Sequence, residues 1–400
     1  MKKEILSHTR STEPNPQSKK EDNSFLTSAV NRRSFLRKSM VAGATATVGA
    51  GILGSGVSAF GQSSKGPAIT KGDIAILRFL AAAELLETDL WLQYTELGGT
   101  QDGEEQGVNG GSPLYAAALQ ILDADMPQYI HDNTDDELSH HQFINSYLVS
   151  KGADPVDLDA FRNLPSSTAT GAKDMGRLTN LTQLTVDTSF WTRYRSSTQN
   201  PDLDKVVFPQ AVTIVNRTAI PRTDDDLMGP ATVAPFNIPD HLKAIAFTAG
   251  FHFCAIEQGG TSLYPSLAQR VTNVEVLQIL LGIGPTETCH FQTWQDKAGN
   301  TVPLTDVDPV TGASVTFPDL TADIPQPQSL QSNLIMPEPT DFISHKLPRC
   351  SVIRPIKTNG VAMGAAKGLT ASGLFAGQSP DFFRALHKLA EEADQAQRGI

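Results

Sequence analysis

Two short spacings carry the chemistry of this chain. Glu137 and His140 stand three residues apart in Asp135-Asp-Glu-Leu-Ser-His-His, and Glu287 and His290 repeat the spacing in Gly284-Pro-Thr-Glu-Thr-Cys-His-Phe. On a helix, positions i and i+3 share a face about one turn apart, so each carboxylate and imidazole can hold one metal ion together. Either spacing alone arises often by chance. Two Glu-x-x-His pairs on separate helices, however, are half of a dinuclear carboxylate site, and the other half is one Glu on each of two further helices. Glu257 is the only acid in the apolar run from Leu242 to Gln258. Glu84 sits beside an apolar stripe in the Gly- and Pro-free run Ile74–Tyr94, with Glu87 on the next stripe as its alternative. The candidate ligands are therefore Glu84, Glu137, His140, Glu257, Glu287 and His290. Four carboxylates balance two divalent ions, which offsets the cost of burying them. Imidazole with carboxylate suits iron or manganese and leaves positions open for water, dioxygen or peroxide. Each His then needs an acceptor for its other ring nitrogen; His141, one residue on, points elsewhere.

These residues require helices to hold them. Thr70-Lys-Gly-Asp73 can cap the first, which carries Glu84. Ser112-Pro113 opens a helical pattern to about Ile130, with a bend expected at Pro127. Asn133-Thr134 re-caps the segment bearing Glu137 and His140, which stops at Lys151-Gly152. The third core helix starts at Pro239-Asp240 and is expected to end at Gly259-Gly260. The fourth is capped by Thr272 or Asn273, with Pro285 expected to kink or split it before Glu287. Residues 153–240 read as an irregular insertion, with short helices around Leu178–Leu184 and a strand-like Val212–Val215. A connection of that length suits a crossover between parallel neighbours. Residues 301–400 read as an irregular wrapping segment, a small-residue stretch from Val361 to Gly377, and a C-terminal amphipathic helix begun by Ser379-Pro380.

The chain has 400 residues and a net charge of −11. Residues 1–59 hold nine Lys/Arg against four Asp/Glu, a net of +5, so the remainder carries −16. Such an acidic body is not expected to bind nucleic acid. Three cysteines without a Cys-x-x-Cys spacing make neither a disulfide scaffold nor a zinc site. In the basic segment, Asn31-Arg-Arg-Ser-Phe-Leu-Arg-Lys precedes an uncharged Gly/Ala-rich stretch, Met40–Val57, and a small-residue Val57-Ser-Ala59. That is the pattern of a twin-arginine export signal with a cleavage site. The expected location is periplasmic or extracellular, with the twin-arginine machinery as partner and no stable membrane span after cleavage.

Across residues 70–300 the segments Ala83-Glu-Leu-Leu-Glu, Asp136-Glu-Leu-Ser-His, Ala255-Ile-Glu-Gln-Gly-Gly and Thr286-Glu-Thr-Cys-His resemble the ferritin-like superfamily. More narrowly, the chain resembles exported bacterial ferritin-like domain proteins related to plant desiccation-related proteins. The resemblance implies a mainly α fold, a ferritin-like four-helix up-down bundle with a long crossover and a C-terminal extension, and a dinuclear iron or manganese centre. Three functions follow as expectations. One is a redox enzyme acting on dioxygen or peroxide. A second is a non-catalytic metal-binding protein, and a third is a stress-protective structural protein.

Overall fold

In the computed structural model, Thr70 starts the first long helix by a reciprocal cap. The Thr70 hydroxyl accepts from the Asp73 amide at 3.1 Å, and the Asp73 carboxylate accepts from the Thr70 amide at 3.1 Å. Helix α1 runs Lys71–Gly98, followed by a short α2, Pro113–Leu119, and a long α3, Met126–Ser150. The structure describes residues 68–103, 108, 110–193, 207–228, 238–320, 336–338, 350–352 and 359–399. The chain divides into two units, Met1–Ser64 and Lys65–Ile400. The twin-arginine stretch and the apolar stretch behind it lie outside the described residues.

The start of α3 differs from expectation. Pro127 lies in its first turn, where a missing amide proton breaks no intrahelical bond, so it begins the helix and bends nothing. Asn133 and Thr134 are buried inside α3 and cap nothing. The insertion follows, with β1 (Leu184–Val186), α4 (Ser189–Arg193), β2 (Ile214–Arg217) and α5 (Asp224–Leu227); β1 and β2 pair antiparallel. No helix forms at Leu178–Leu184. There the amides of Leu178 and Thr179 donate to Asp89 Oδ2 on α1 at 3.0 and 2.9 Å, which pins the loop to that helix.

Helix α6 runs Asp240–Ala268 and α7 runs Val274–Ala298. Both pass their expected breakers. Gly259-Gly260 does not stop α6, because packing against α7 overrides a weak local propensity: a Cβ on Gly260 would stand 2.4 Å from Glu287 Oε2. Pro285 is exposed on the outside of α7, where water can satisfy the carbonyl it leaves unpaired. Gly284, beside it, lets the helices approach closely, since a Cβ there would lie 2.8 Å from Tyr264 Cβ.

The four long helices lie as two tight pairs, α1 along α3 and α6 along α7. Glu84 is level with His140 and Tyr264, whereas Trp91 is level with Phe253 and Trp294. Trp294 in turn reaches Asn133. Helices α1 and α7 therefore run one way and α3 and α6 the other. The long insertion joins two parallel helices, the geometry that demands a long connection.

After α7 come two hairpins, β3 (Leu304–Val307) with β4 (Ser314–Phe317) and β5 (Met336–Glu338) with β6 (Cys350–Val352). The small-residue stretch forms a helix, α8 (Val361–Ala371), that composition had not suggested. Its first amides, Ala362 and Met363, donate to the Asp394 carboxylate at 3.0 and 2.9 Å. Helix α9 (Pro380–Gln395) is capped by Ser379 and buries Phe382, Leu386 and Leu389, packing on α1 and α8. The fold is mainly α. No helix among the described residues is long and apolar enough to cross a membrane.

Candidate metal centre

The six sequence candidates converge. Each long helix contributes: α1 gives Glu84, α3 gives Glu137 and His140, α6 gives Glu257, and α7 gives Glu287 and His290. They form two overlapping groups. Glu84, Glu137, His140 and Glu287 make one, and Glu137, Glu257, Glu287 and His290 make the other; in each, the donor atoms lie within 4.8 Å of one another. Glu137 and Glu287 belong to both. All four carboxylates are buried, and His140 is 8% exposed.

Both imidazoles turn Nδ1 to the carboxylates. His140 Nδ1 lies 3.3 Å from Glu84 Oε2, 3.1 Å from Glu137 Oε2 and 3.4 Å from Glu287 Oε1. His290 Nδ1 lies 3.2 Å from Glu137 Oε1 and 3.3 Å from Glu257 Oε2. Donors at right angles around one ion, each at ~2.1 Å, stand ~3.0 Å apart. These spacings are near that edge length.

The outer contacts fix the donors. His290 Nε2 faces Asp136 Oδ2 at 3.2 Å, the acceptor expected behind a metal-binding imidazole. Asn133 Nδ2 donates to Glu137 Oε1 at 2.8 Å and to Glu257 Oε1 at 3.0 Å, while its own carbonyl accepts from Trp294 Nε1 at 2.7 Å. Trp91 Nε1 donates to Glu257 Oε1 at 3.1 Å, and the Tyr264 hydroxyl donates to Glu84. Local reading missed these partners. The signal was helical spacing: Asn133 and Trp294 lie four residues from Glu137 and His290, and Trp91 and Tyr264 lie seven from Glu84 and Glu257. Each therefore shares a face with a ligand.

The electrostatics explain why the cluster fits a cation. Burial and then the Glu257 charge push Glu137 up to about 7. Burial, with Glu137 and Glu84, raises Glu287 well above the usual carboxylate range. Burial also works against Glu84, but the His140 imidazolium outweighs it and holds Glu84 low. Burial opposes charge on both imidazoles, yet Glu84 beside His140 and Glu257 beside His290 hold them well above their usual range. Protons thus stand in for cations. Neither oxygen of the fully buried Glu287 meets hydrogen-bond geometry among the described residues, His140 Nδ1 standing 3.4 Å from Oε1. A bound cation supplies what those oxygens lack, so the donor set fits metal.

The alternatives separate. Glu87 joins neither group; it is half-buried and lines a cavity beside the centre. Burial, then the charges of Glu287 and Glu84, raise its carboxyl well above the usual range. His141 turns away, with Nδ1 3.1 Å from the Thr88 hydroxyl. Cys254 is buried and Cys289 exposed. Comparison with known proteins finds no matching family model, no matching curated protein and no matching solved structure.

Proposed function

We propose that this chain is an exported ferritin-like protein whose six clustered residues hold two iron or manganese ions. The centre would act on dioxygen or peroxide in protection against stress at the cell envelope. The observation that carries the reading is the pair of overlapping donor groups with Glu137 and Glu287 in common. His140 and Glu84 would serve one ion, His290 and Glu257 the other, and the two shared carboxylates both. Support for a ferritin-like bundle comes from four long helices with one long crossover between parallel members. Export rests on the Arg32-Arg33 segment and is checked by fractionating cells that carry Arg32→Lys/Arg33→Lys.

When bound, such a metal pair supplies redox electrons and Lewis acidity to an oxygen ligand. The chain's own groups do the rest. Asp136 accepts at His290 Nε2, which leaves Nδ1 as the metal-facing nitrogen. Asn133 and Trp91 hold Glu257 in place, and Asn133 also holds Glu137. The buried aromatic rings Trp91, Phe253 and Trp294, stacked or tilted at 4.8 to 5.3 Å, pack this end of the seam and exclude water. Glu87, whose carboxyl is pushed well above the usual range by burial and then by the charges of Glu287 and Glu84, stands beside the centre.

The deciding experiment is metal analysis of the protein purified from its own host, beside a His140→Ala/His290→Ala double variant. About two equivalents of iron or manganese, lost in the variant, are expected. Metal in neither would remove the reading. Glu137→Ala, which takes a donor from both ions, is expected to abolish both metal and turnover. Full metal with no consumption of oxygen or peroxide would leave a non-catalytic metal-binding role in stress protection.

A further inference from the structure

A cavity of about 520 Å³ opens beside the centre, a size typical of small-molecule sites, ~300–1,000 Å³. Four parts of the chain wall it: α1, α6, the β1–β2 hairpin of the insertion, and the C-terminal helices α8 and α9. Its sides are apolar, with Phe79, Leu86, Ile214, Ile256, Leu263 and Leu369 among them. Asp187, Gln210, Thr213 and Val215 are exposed at its rim, and the insertion supplies all four. Among the described residues, no Lys or Arg lines it.

Two polar side chains are set in the inner wall. One is Glu87, a turn from the metal-facing Glu84. The other is His252, which is 3% exposed. The Tyr94 hydroxyl lies 2.6 Å from His252 Nδ1, whereas Nε2 has no hydrogen-bond partner among the described residues. A phenol is the better donor, so Nδ1 accepts and Nε2 carries the ring proton. Burial pushes this imidazole down to about 3, so the ring is neutral. Nε2 is itself buried, so a neutral ring and no charge backs the cavity wall. Gly260 ties the cavity to the centre, because its backbone lines the cavity and abuts Glu287 Oε2.

We infer that this cavity binds a neutral, elongated apolar molecule, which it sets alongside the metal centre. The chemistry of the walls decides the class. An anionic head would find no Lys or Arg among the described lining residues to offset its desolvation. A strongly polar molecule would leave its groups unpaired against the apolar sides. The placement beside a metal centre rests on the function proposed above; the cavity and its ligand class do not.

Decan-1-ol and decanoate serve as matched probes, titrated calorimetrically into the full chain with metal content measured on the same samples. Decan-1-ol is expected to bind, and decanoate to bind at least ~10-fold more weakly. Gly259→Leu is the occluding variant. Gly259 lines the cavity, and a Cβ there meets nothing within 4 Å, so the side chain grows into the open space. It should cost decan-1-ol at least ~10-fold in affinity and leave metal content unchanged. No binding of decan-1-ol, equal binding of decanoate, or unchanged affinity in Gly259→Leu would each overturn the inference. Binding with these responses in a protein that carries no metal supports the cavity and refutes only the metal reading.

Discussion

Asn133 shows how one side chain sets the geometry of the candidate site. Its amide holds Glu137 and Glu257, and Trp294 holds its carbonyl. Asn133→Ala frees both carboxylates and is expected to weaken metal binding by ~10–100-fold in a chelator competition titration. Metal binding also requires neutral imidazoles and ionised carboxylates, so loading should release protons, seen as a buffer-dependent heat in calorimetry. The ligand types and spacings were legible at this scale because each Glu-x-x-His pair is local. The bracing groups were not. Asn133 and Glu257 are 124 residues apart, and Glu84 and Tyr264 are 180 apart. Only helical phase links them, and phase singles out a face without naming what covers it. The choice of Glu84 over Glu87 likewise needed the neighbouring helices.

At the scale of elements, two adjacent glycines in α6 have opposite duties. Gly259 faces open space, whereas Gly260 faces Glu287. Gly259→Ala should raise stability by ~0.5–1 kcal/mol through helix propensity alone. Gly260→Ala gains the same propensity but drives a methyl onto a carboxylate oxygen, so metal should be lost. Thermal denaturation with metal analysis of both variants checks the pair; equal behaviour would contradict the packing described here. This dipeptide misleads local reading, which takes it for the end of a helix. Pro285 misleads for a related reason, since nothing local reveals that it faces outward. The starts were clearer. Thr70, Asn273 and Ser379 each cap through their own side chains within three residues, which is information a sequence contains.

Across the whole molecule, an ion-pair network ties the insertion and the β3–β4 hairpin to the start of α6. Arg222 binds Asp226 and Asp308, Arg217 binds Asp306, and His241 bridges Asp226 and Asp306 at 3.1 and 2.9 Å. Burial opposes charge on His241, but the two aspartates prevail and raise it to about 9. Its contribution is therefore full below its unfolded value, ~6.5, and fades as pH rises to about 9. Burial opposes ionisation of Asp226, Asp306 and Asp308 as well, yet their partners hold them low. Their contribution is present above ~3.9 and fades as pH falls. The melting-temperature gap between wild type and His241→Gln should be widest near pH 6 and narrow by pH 9.5. Comparing the two proteins cancels the pH response of the metal centre.

The two-pair arrangement also bears on the order of folding. The α1–α3 pair owns Glu84, Glu137 and His140, and the α6–α7 pair owns Glu257, Glu287 and His290; each donor group borrows one carboxylate from the other pair. Neither pair alone completes an ion site, so ion capture must follow docking of the pairs. The α6–α7 pair closes over a five-residue turn and can form early, whereas docking waits for the long crossover to close. Trp91 of one pair stacks on Trp294 of the other at 5.3 Å, a built-in fluorescent reporter of that event. In stopped-flow refolding the tryptophan signal should reach its native value before, or together with, metal uptake, so the ions would lock an assembled seam and would not template it.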